Sequence, residues 1–389
     1  MRINPPLVAL AIGAFGIGVT EFAPMGMLPS IATDLGVSIP AAGLLVSAYA
    51  LGVLIGAPLM TLATVRIPRR YLLIGLMAIF TLGNVMSALA SDYTSLLVAR
   101  VVTSMNHGAF FGIGAIVAAS VVPPDKRAGA VAAMFMGLTL ATIGGVPLAT
   151  WFGEMLGWRT AFWGIAGLGL VAMTTLWYAL PNVPSPKGDG ALAEIRVLTR
   201  GPVLAALLLT VVGSSAMFTV FTYIAPILQN EAGASTTFIT GMLVLFGIGL
   251  TLGNVWGGKA ADRSVDRTLV VSLAVLIAVL LGLPWVLAWP LPTAMAIVVW
   301  GAASFALVPP LQMRVMEAAR QAPNLASAVN IGAFNLGNAI GAALGGAVIN
   351  AGLGYRAIAI AGAATAALGL AMVVLFAWRG RASAAQVVV

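Results

Sequence analysis

Three ionisable side chains lie deep inside otherwise apolar stretches of this chain: Glu21, Arg100 and His107. A carboxylate or guanidinium at the middle of a lipid-embedded helix costs about 2.5–3.5 kcal/mol, so one kept there has a partner or a task. A buried carboxylate beside a cation can take up a proton and release it again, which is the chemistry that coupling to a proton gradient requires. Arg100, Thr103, Ser104 and His107 recur at helical spacing and share one face. With about 1.5 Å of rise per residue, counted from the middle of each apolar run, Glu21 falls between the heights of Arg100 and His107. Structural roles also fit these residues: Arg100 as an ion-pair or carbonyl-binding group, His107 as a hydrogen-bonded interior group beside Gly108. Glu21 fits such a role least, because a neutral residue would cost less there.

The elements that hold these groups must be membrane-crossing helices. Of 389 residues, 61% are hydrophobic and 8% charged, and the mean hydropathy is +1.06. Such a chain needs lipid as its solvent. Apolar runs fall near 6–29, 40–63, 71–90, 95–121, 128–151 and 160–180, and again near 203–228, 237–258, 268–289, 292–313, 325–350 and 356–378. The expected fold is all-α, with twelve transmembrane helices in two pseudo-symmetric six-helix bundles. Residues 1–180 form the first, a polar linker occupies 181–201, and 202–389 form the second bundle and a short tail. Arg2 and the run after it read as a retained first helix, since no small-residue cleavage site precedes Glu21.

Charge gives the orientation. Apart from Arg100, and from Arg159 and Arg356 on the opposite side, every Lys and Arg falls on one side of the spans. By the positive-inside rule that side, with both termini, is cytoplasmic. The halves also repeat: Arg66 and Arg70 recur as Arg263 and Arg267, and Gly157-Trp158-Arg159 recurs as Gly354-Tyr355-Arg356, all at an offset of 197 residues. Thr20-Glu21-Phe22-Ala23-Pro24 is echoed by Thr222-Tyr223-Ile224-Ala225-Pro226. Packed repeats can rock about a midplane site and alternate its access.

The titratable chemistry is confined to the first half, because Ile297 and Ser304 stand at the positions equivalent to Arg100 and His107. The second half offers neutral polar groups among aromatics: Tyr223, Asn254, Asn330, Asn335 and Asn338, with Phe218, Phe221, Trp300 and Phe334. Together with Phe111 of the first half, these Tyr and Asn residues suit an uncharged or amphipathic small molecule. Asn335 and Asn338 also fit as interhelical hydrogen-bonding groups beside Gly337 and Gly341. With no cysteine and one histidine, thiol chemistry is excluded and a metal centre is not expected. No nucleophile–base pair points to an enzyme, and no basic stripe points to nucleic acid. Import or uniport of a polar solute, or a receptor that binds without transporting, remain alternatives to efflux.

Several motifs resemble the major facilitator superfamily, and the likeness spans essentially the whole chain. Its loop signature between helices 2 and 3 is matched by Gly258-Lys-Ala-Ala-Asp262-Arg263-Ser-Val-Asp266-Arg267, whereas the first-half copy, Thr61-Leu-Ala-Thr-Val65-Arg66-Ile-Pro68-Arg69-Arg70, has lost the glycine and aspartate. Leu97-Val-Ala-Arg100 with Asn106-His107-Gly108 resembles the family's helix 4 motif, and Gly137 through Gly144-Gly145-Val146-Pro147 resembles its antiporter motif on helix 5. Thr20-Glu21-Phe22-Ala-Pro24-Met-Gly26 and His107-Gly108-Ala109-Phe110-Phe111-Gly112 are most similar to the arabinose efflux permease-like branch of the drug and sugar proton antiporters. The resemblance implies a monomer in a bacterial inner membrane, driven by the proton gradient without a cofactor. Glu21 would carry the proton with Arg100 and His107 as modulators. Arg66, Arg70, Gly145, Pro147, Asp262, Arg263 and Arg267 would serve the conformational change.

Overall fold

Proline and short polar residues start the helices where the apolar runs begin. Pro5 and Pro6 occupy the first turn of the first helix, where a missing N–H costs nothing. Ser38 caps the second by accepting from the Ala41 N–H at 3.3 Å. Asp92 and Ser95 cap the fourth reciprocally, Ser95 N–H donating to Asp92 Oδ1 at 2.9 Å and Asp92 N–H to Ser95 Oγ at 3.2 Å. Ser264 caps the ninth by accepting from the Arg267 N–H.

The computed structural model describes residues 4–64, 67–123, 127–181, 197–321 and 323–387. Most of the expected linker, and Arg66, lie outside them. Among the described residues, twelve helices are long and apolar enough to cross a membrane: α1 Pro5–Gly26, α2 Ile39–Ala57, α3 Arg69–Leu89, α4 Tyr93–Ser120, α5 Gly129–Leu156, α6 Trp158–Ala179, α7 Gly201–Phe221, α8 Thr236–Ala261, α9 Val265–Val286, α10 Pro290–Ala318, α11 Val329–Asn350 and α12 Tyr355–Phe376. Their exposed faces are apolar. On α2, Leu44, Leu51 and Ile55 line one such face, which only lipid or another apolar surface could cover.

The apolar pattern does not reveal that several spans are interrupted. After α1 the chain turns at Met27 into a short helix, Leu28–Asp34, and after α7 into another, Ile224–Ala232. The α4 span is two runs, Tyr93–Ser104 and His107–Ser120. Five residues of α5, Ala141–Gly145, form a π-helical turn immediately before Val146-Pro147. A proline ring removes an N–H and crowds the preceding turn, which accounts for that distortion and for the break of α10 ahead of Pro309 and Pro310.

The chain divides into two compact units. The first comprises Met1–Asp189, Tyr223–Gln229 and Ala234–Val244, and the second Gly190–Thr222, Asn230–Gly233 and Leu245–Val389. In the first, α1 packs on α5 and α6, α3 on α4 and α6, and α2 on α4. The second repeats the plan: α7 packs on α11 and α12, and α9 on α10 and α12. Leu10, Ile17, Phe80, Phe110 and Phe162 are fully buried in the first unit's core.

Each unit closes with an ion pair at the repeat offset. Asp34 Oδ2 lies 2.5 Å from Arg159 Nη1, and Glu231 Oε2 lies 2.6 Å from Arg356 Nε. These are the two arginines that break the charge rule, and both are paired with carboxylates. Arg159 also donates to the Ala90 carbonyl at 3.0 and 2.8 Å, closing the C-terminus of α3, and stacks 4.1 Å from the Trp158 ring centroid. The Arg159 hydrogen bond, joined by that from Trp158 Nε1 at 3.1 Å, holds the Asp34 carboxyl below the usual aspartate range. A lowered carboxylate contributes stability above its unfolded value and loses it as pH falls through the folded one. Because the pair is partly exposed, its contribution is at most about 1 kcal/mol. Asp34→Asn should therefore lower the melting temperature in detergent at neutral pH by on the order of 1–2 °C. The difference from wild type should vanish once the solution is acidic enough to protonate Asp34, and a difference that persists there would contradict the assignment.

Candidate functional site

The first unit's polar centre is built around a backbone carbonyl. Pro24 has no N–H to return to Thr20, four residues earlier, so the Thr20 carbonyl is deprived of its helical partner inside α1. Arg100 on α4 replaces it, Nη1 donating to Thr20 O at 2.8 Å and to Thr20 Oγ1 at 3.3 Å. The Thr20 hydroxyl donates in turn to Asn84 Oδ1 on α3 at 2.6 Å, and Asn84 Nδ2 donates to Phe80 O at 2.8 Å. Arg100 is 1% exposed. Its guanidinium carbon lies 4.2 Å from the Tyr49 ring centroid on α2, with Phe162 of α6 at 6.0 Å. The ring faces offset part of the cost of burying this cation. Its Nε and Nη2 have no hydrogen-bond partner among the described residues.

Glu21, next to Thr20 and 5% exposed, does not pair directly with Arg100; Oε2 lies 3.9 Å from His107 Nδ1. The same nitrogen is hydrogen-bonded to the Tyr49 hydroxyl at 3.1 Å. The interruption of α4 sets this up, since Asn106 turns its side chain back to the Thr103 carbonyl and His107 opens a new helical run. Close approach is allowed by glycine at two points. A Cβ on Gly52 would overlap Ser104 Oγ, and one on Gly83 would overlap Thr103, so α2 and α3 sit directly on the polar face of α4. Phe111 packs 5.1 Å from the His107 ring and stacks on Phe135. Gly145, two residues before Pro147, lies against Phe15 and Val19 of α1, which ties the π-helical turn to the helix that carries Glu21.

The structure thus joins Glu21, Arg100, His107 and Phe111. Tyr49, Asn84 and the Thr20 carbonyl complete the site, and sequence reasoning missed them. The signals were a tyrosine and an asparagine inside apolar runs and a proline four residues after Thr20.

In the second unit, Phe246 stacks on Phe221 with centroids 4.5 Å apart and meets Trp300 at 4.5 Å, while Phe218 meets Phe334 at 5.7 Å. Asn330 Nδ2 donates to Gln312 Oε1 at 2.6 Å, and Asn335 Nδ2 to the Ile331 carbonyl at 3.0 Å. Asn338 is buried, and Asn254 is exposed. Tyr223 is buried and belongs to the first unit.

Among the signature-loop residues, Asp262, Arg263 and Arg267 are exposed. The ion pair formed nearby is between Asp266 and Arg314. Arg70 donates to the Trp177 carbonyl at the end of α6 and lies 5.1 Å from that ring's centroid.

If Arg100 compensates for Pro24, the two residues are coupled energetically. Arg100→Leu should destabilise the protein less when Pro24→Ala restores the N–H, the saving being about 1–2 kcal/mol. Equal costs in the two backgrounds, measured by denaturation in detergent, would sink this account.

Residues 10–333 match the family model described as Major Facilitator Superfamily. The chain is 58% identical over 377 residues to the inner membrane transport protein YdhP of Escherichia coli (strain K12), covering 97% of each. It is 34% identical over 385 residues to the AraJ protein of the same strain, covering 98% of this chain and 97% of the other, in agreement with the arabinose efflux permease-like motifs. A chloramphenicol resistance protein of Streptomyces lividans is 33% identical over 340 residues, 86% of this chain and 87% of that one. Among solved structures, a D-xylose-proton symporter superposes with a TM-score of 0.76 at 17% identity, over 96% of this chain and 97% of that one, a likeness of fold. Family match, relatives and twelve-helix architecture agree that this chain belongs to the major facilitator superfamily, as a membrane transporter and not an enzyme.

Proposed function

We propose that the protein is a proton-coupled antiporter that exports a small organic molecule, a drug-like amphiphile or a sugar, by alternating access. It would work as a monomer in a bacterial inner membrane, with both termini cytoplasmic. The observation that carries the reading is the Glu21 carboxyl, buried on α1 with the Arg100 guanidinium nearby and His107 Nδ1 at 3.9 Å. Protonation discharges Glu21, and deprotonation leaves a carboxylate within reach of a cation that still has unused N–H donors. Two electrostatic states of one site are what an exchanger needs in order to couple a proton to a solute moving the other way. Export is favoured by the relative named for chloramphenicol resistance. Aromatic rings among neutral amides in the second unit suit a cargo without formal charge.

Melting-point screening of neutral amphiphiles and pentoses in detergent supplies a cargo for flux measurement. In proteoliposomes an imposed pH gradient should drive that compound against its own gradient, with counterflow of protons. Glu21→Gln should keep solute exchange but lose gradient-driven accumulation at least about tenfold. A Glu21→Gln protein that accumulates solute as wild type does would remove Glu21 from the coupling step.

The orientation has its own test, helped by the absence of cysteine. Ser91→Cys and Gln321→Cys place single thiols at exposed positions on opposite sides of the spans. A membrane-impermeant maleimide applied to right-side-out vesicles should label the first and spare the second; the reverse pattern would invert the topology.

A further inference from the structure

His107 Nδ1 faces two groups at once, the Tyr49 hydroxyl at 3.1 Å and Glu21 Oε2 at 3.9 Å. A ring nitrogen has either one in-plane lone pair or one hydrogen, so it serves one neighbour well at a time. Only the tyrosine is within hydrogen-bonding distance. Tyr49 itself is held firmly. It is 1% exposed, and its ring lies against Arg100. Gly52, one turn later on α2, lets that helix settle onto Ser104 of α4. The other helices around Glu21 supply no titratable competitor at this depth among the described residues: α3 contributes Asn84, α5 Phe135 and α6 Phe162.

We propose that Tyr49 is a positioning residue that occupies His107 Nδ1 and so keeps the Glu21 proton from passing to the histidine. The idea rests on Glu21 as the proton carrier and adds how its proton is kept exchangeable. Without the hydroxyl, the Glu21 carboxyl closes on Nδ1. The O–H bond of the acid breaks, the Nδ1 lone pair forms the new N–H bond, and a carboxylate–imidazolium pair results with no net change in charge. A proton trapped in such a pair is no longer readily offered to the transport pathway. Because Tyr49 rides on α2 while its rivals ride on α1 and α4, a small shift of α2 would release the nitrogen.

The chain has a single histidine, so protein labelled with 15N-histidine gives one pair of ring-nitrogen signals, all from His107. Nuclear magnetic resonance of that protein in lipid nanodiscs needs no knowledge of the cargo. In wild type, Glu21→Gln should leave the Nδ1 signal nearly where it was. In Tyr49→Phe, which keeps the ring against Arg100, Nδ1 should move toward the position of a protonated nitrogen, and adding Glu21→Gln should move it back. An Nδ1 signal that responds to Glu21→Gln equally with and without the Tyr49 hydroxyl would overturn the proposal. Should Tyr49→Phe fail to fold, the wild-type signal still decides, since an Nδ1 that carries no hydrogen bond in wild type rules out the occupancy. The flux experiment with Glu21→Gln tests the underlying reading separately: coupling lost with Nδ1 indifferent to Tyr49 would reject only the positioning role.

Discussion

One backbone carbonyl without its helical partner organises the polar centre of the first half of this protein. In lipid an unpaired backbone oxygen cannot turn to bulk water, so the gap that Pro24 leaves at Thr20 must be filled from a neighbouring helix. Arg100 fills it, and the demands of that guanidinium then recruit the rest. Tyr49 and Phe162 cover its faces, Thr20 and Asn84 extend its hydrogen bonds, and Glu21 and His107 share the space they enclose.

The second half has neither the proline nor the arginine. At the repeat offset of 197 residues Phe221 stands where Pro24 would be and Ile297 where Arg100 would be, while Pro226 matches Pro29. Here α7 stops at Phe221, and the chain turns at Thr222 and Tyr223 before a fresh helix starts at Ile224. In the first half α1 runs helical through Pro24 to Gly26, and a side chain from α4 satisfies the carbonyl that the proline leaves open. The duplicated plan thus diverged at a proline and at the donor that answers it, Pro24 with Arg100 against Phe221 with Ile297.

Span number, the repeat and the three buried ionisable residues were legible in the sequence, since each is a departure from an apolar background that lipid enforces. The interruptions were not. Hydropathy averages over a turn or more, and it cannot register that Asn106 folds back on Thr103 or that Ala141–Gly145 winds more loosely. Helical rise sets Glu21 between the heights of Arg100 and His107, but it cannot tell which of them the carboxyl meets: the contact is with His107, and the arginine is committed to a carbonyl. Tyr49 was hidden for another reason: an isolated tyrosine among alanines and leucines has an ordinary apolar role open to it, and only the neighbouring helices reveal what its hydroxyl meets.

Arg159 and Arg356, the exceptions to the charge rule, are halves of matched pairs. In both, the acid precedes its arginine by 125 residues. During synthesis each arginine therefore emerges after its carboxylate has already been made, and it is the start of the sixth helix of its bundle that delivers it. A bond from the end of the first helix to the start of the sixth can form only after the four membrane-crossing helices between them have been made. Each half thus ties its first helix to its last by one charged contact made across most of the bundle's sequence.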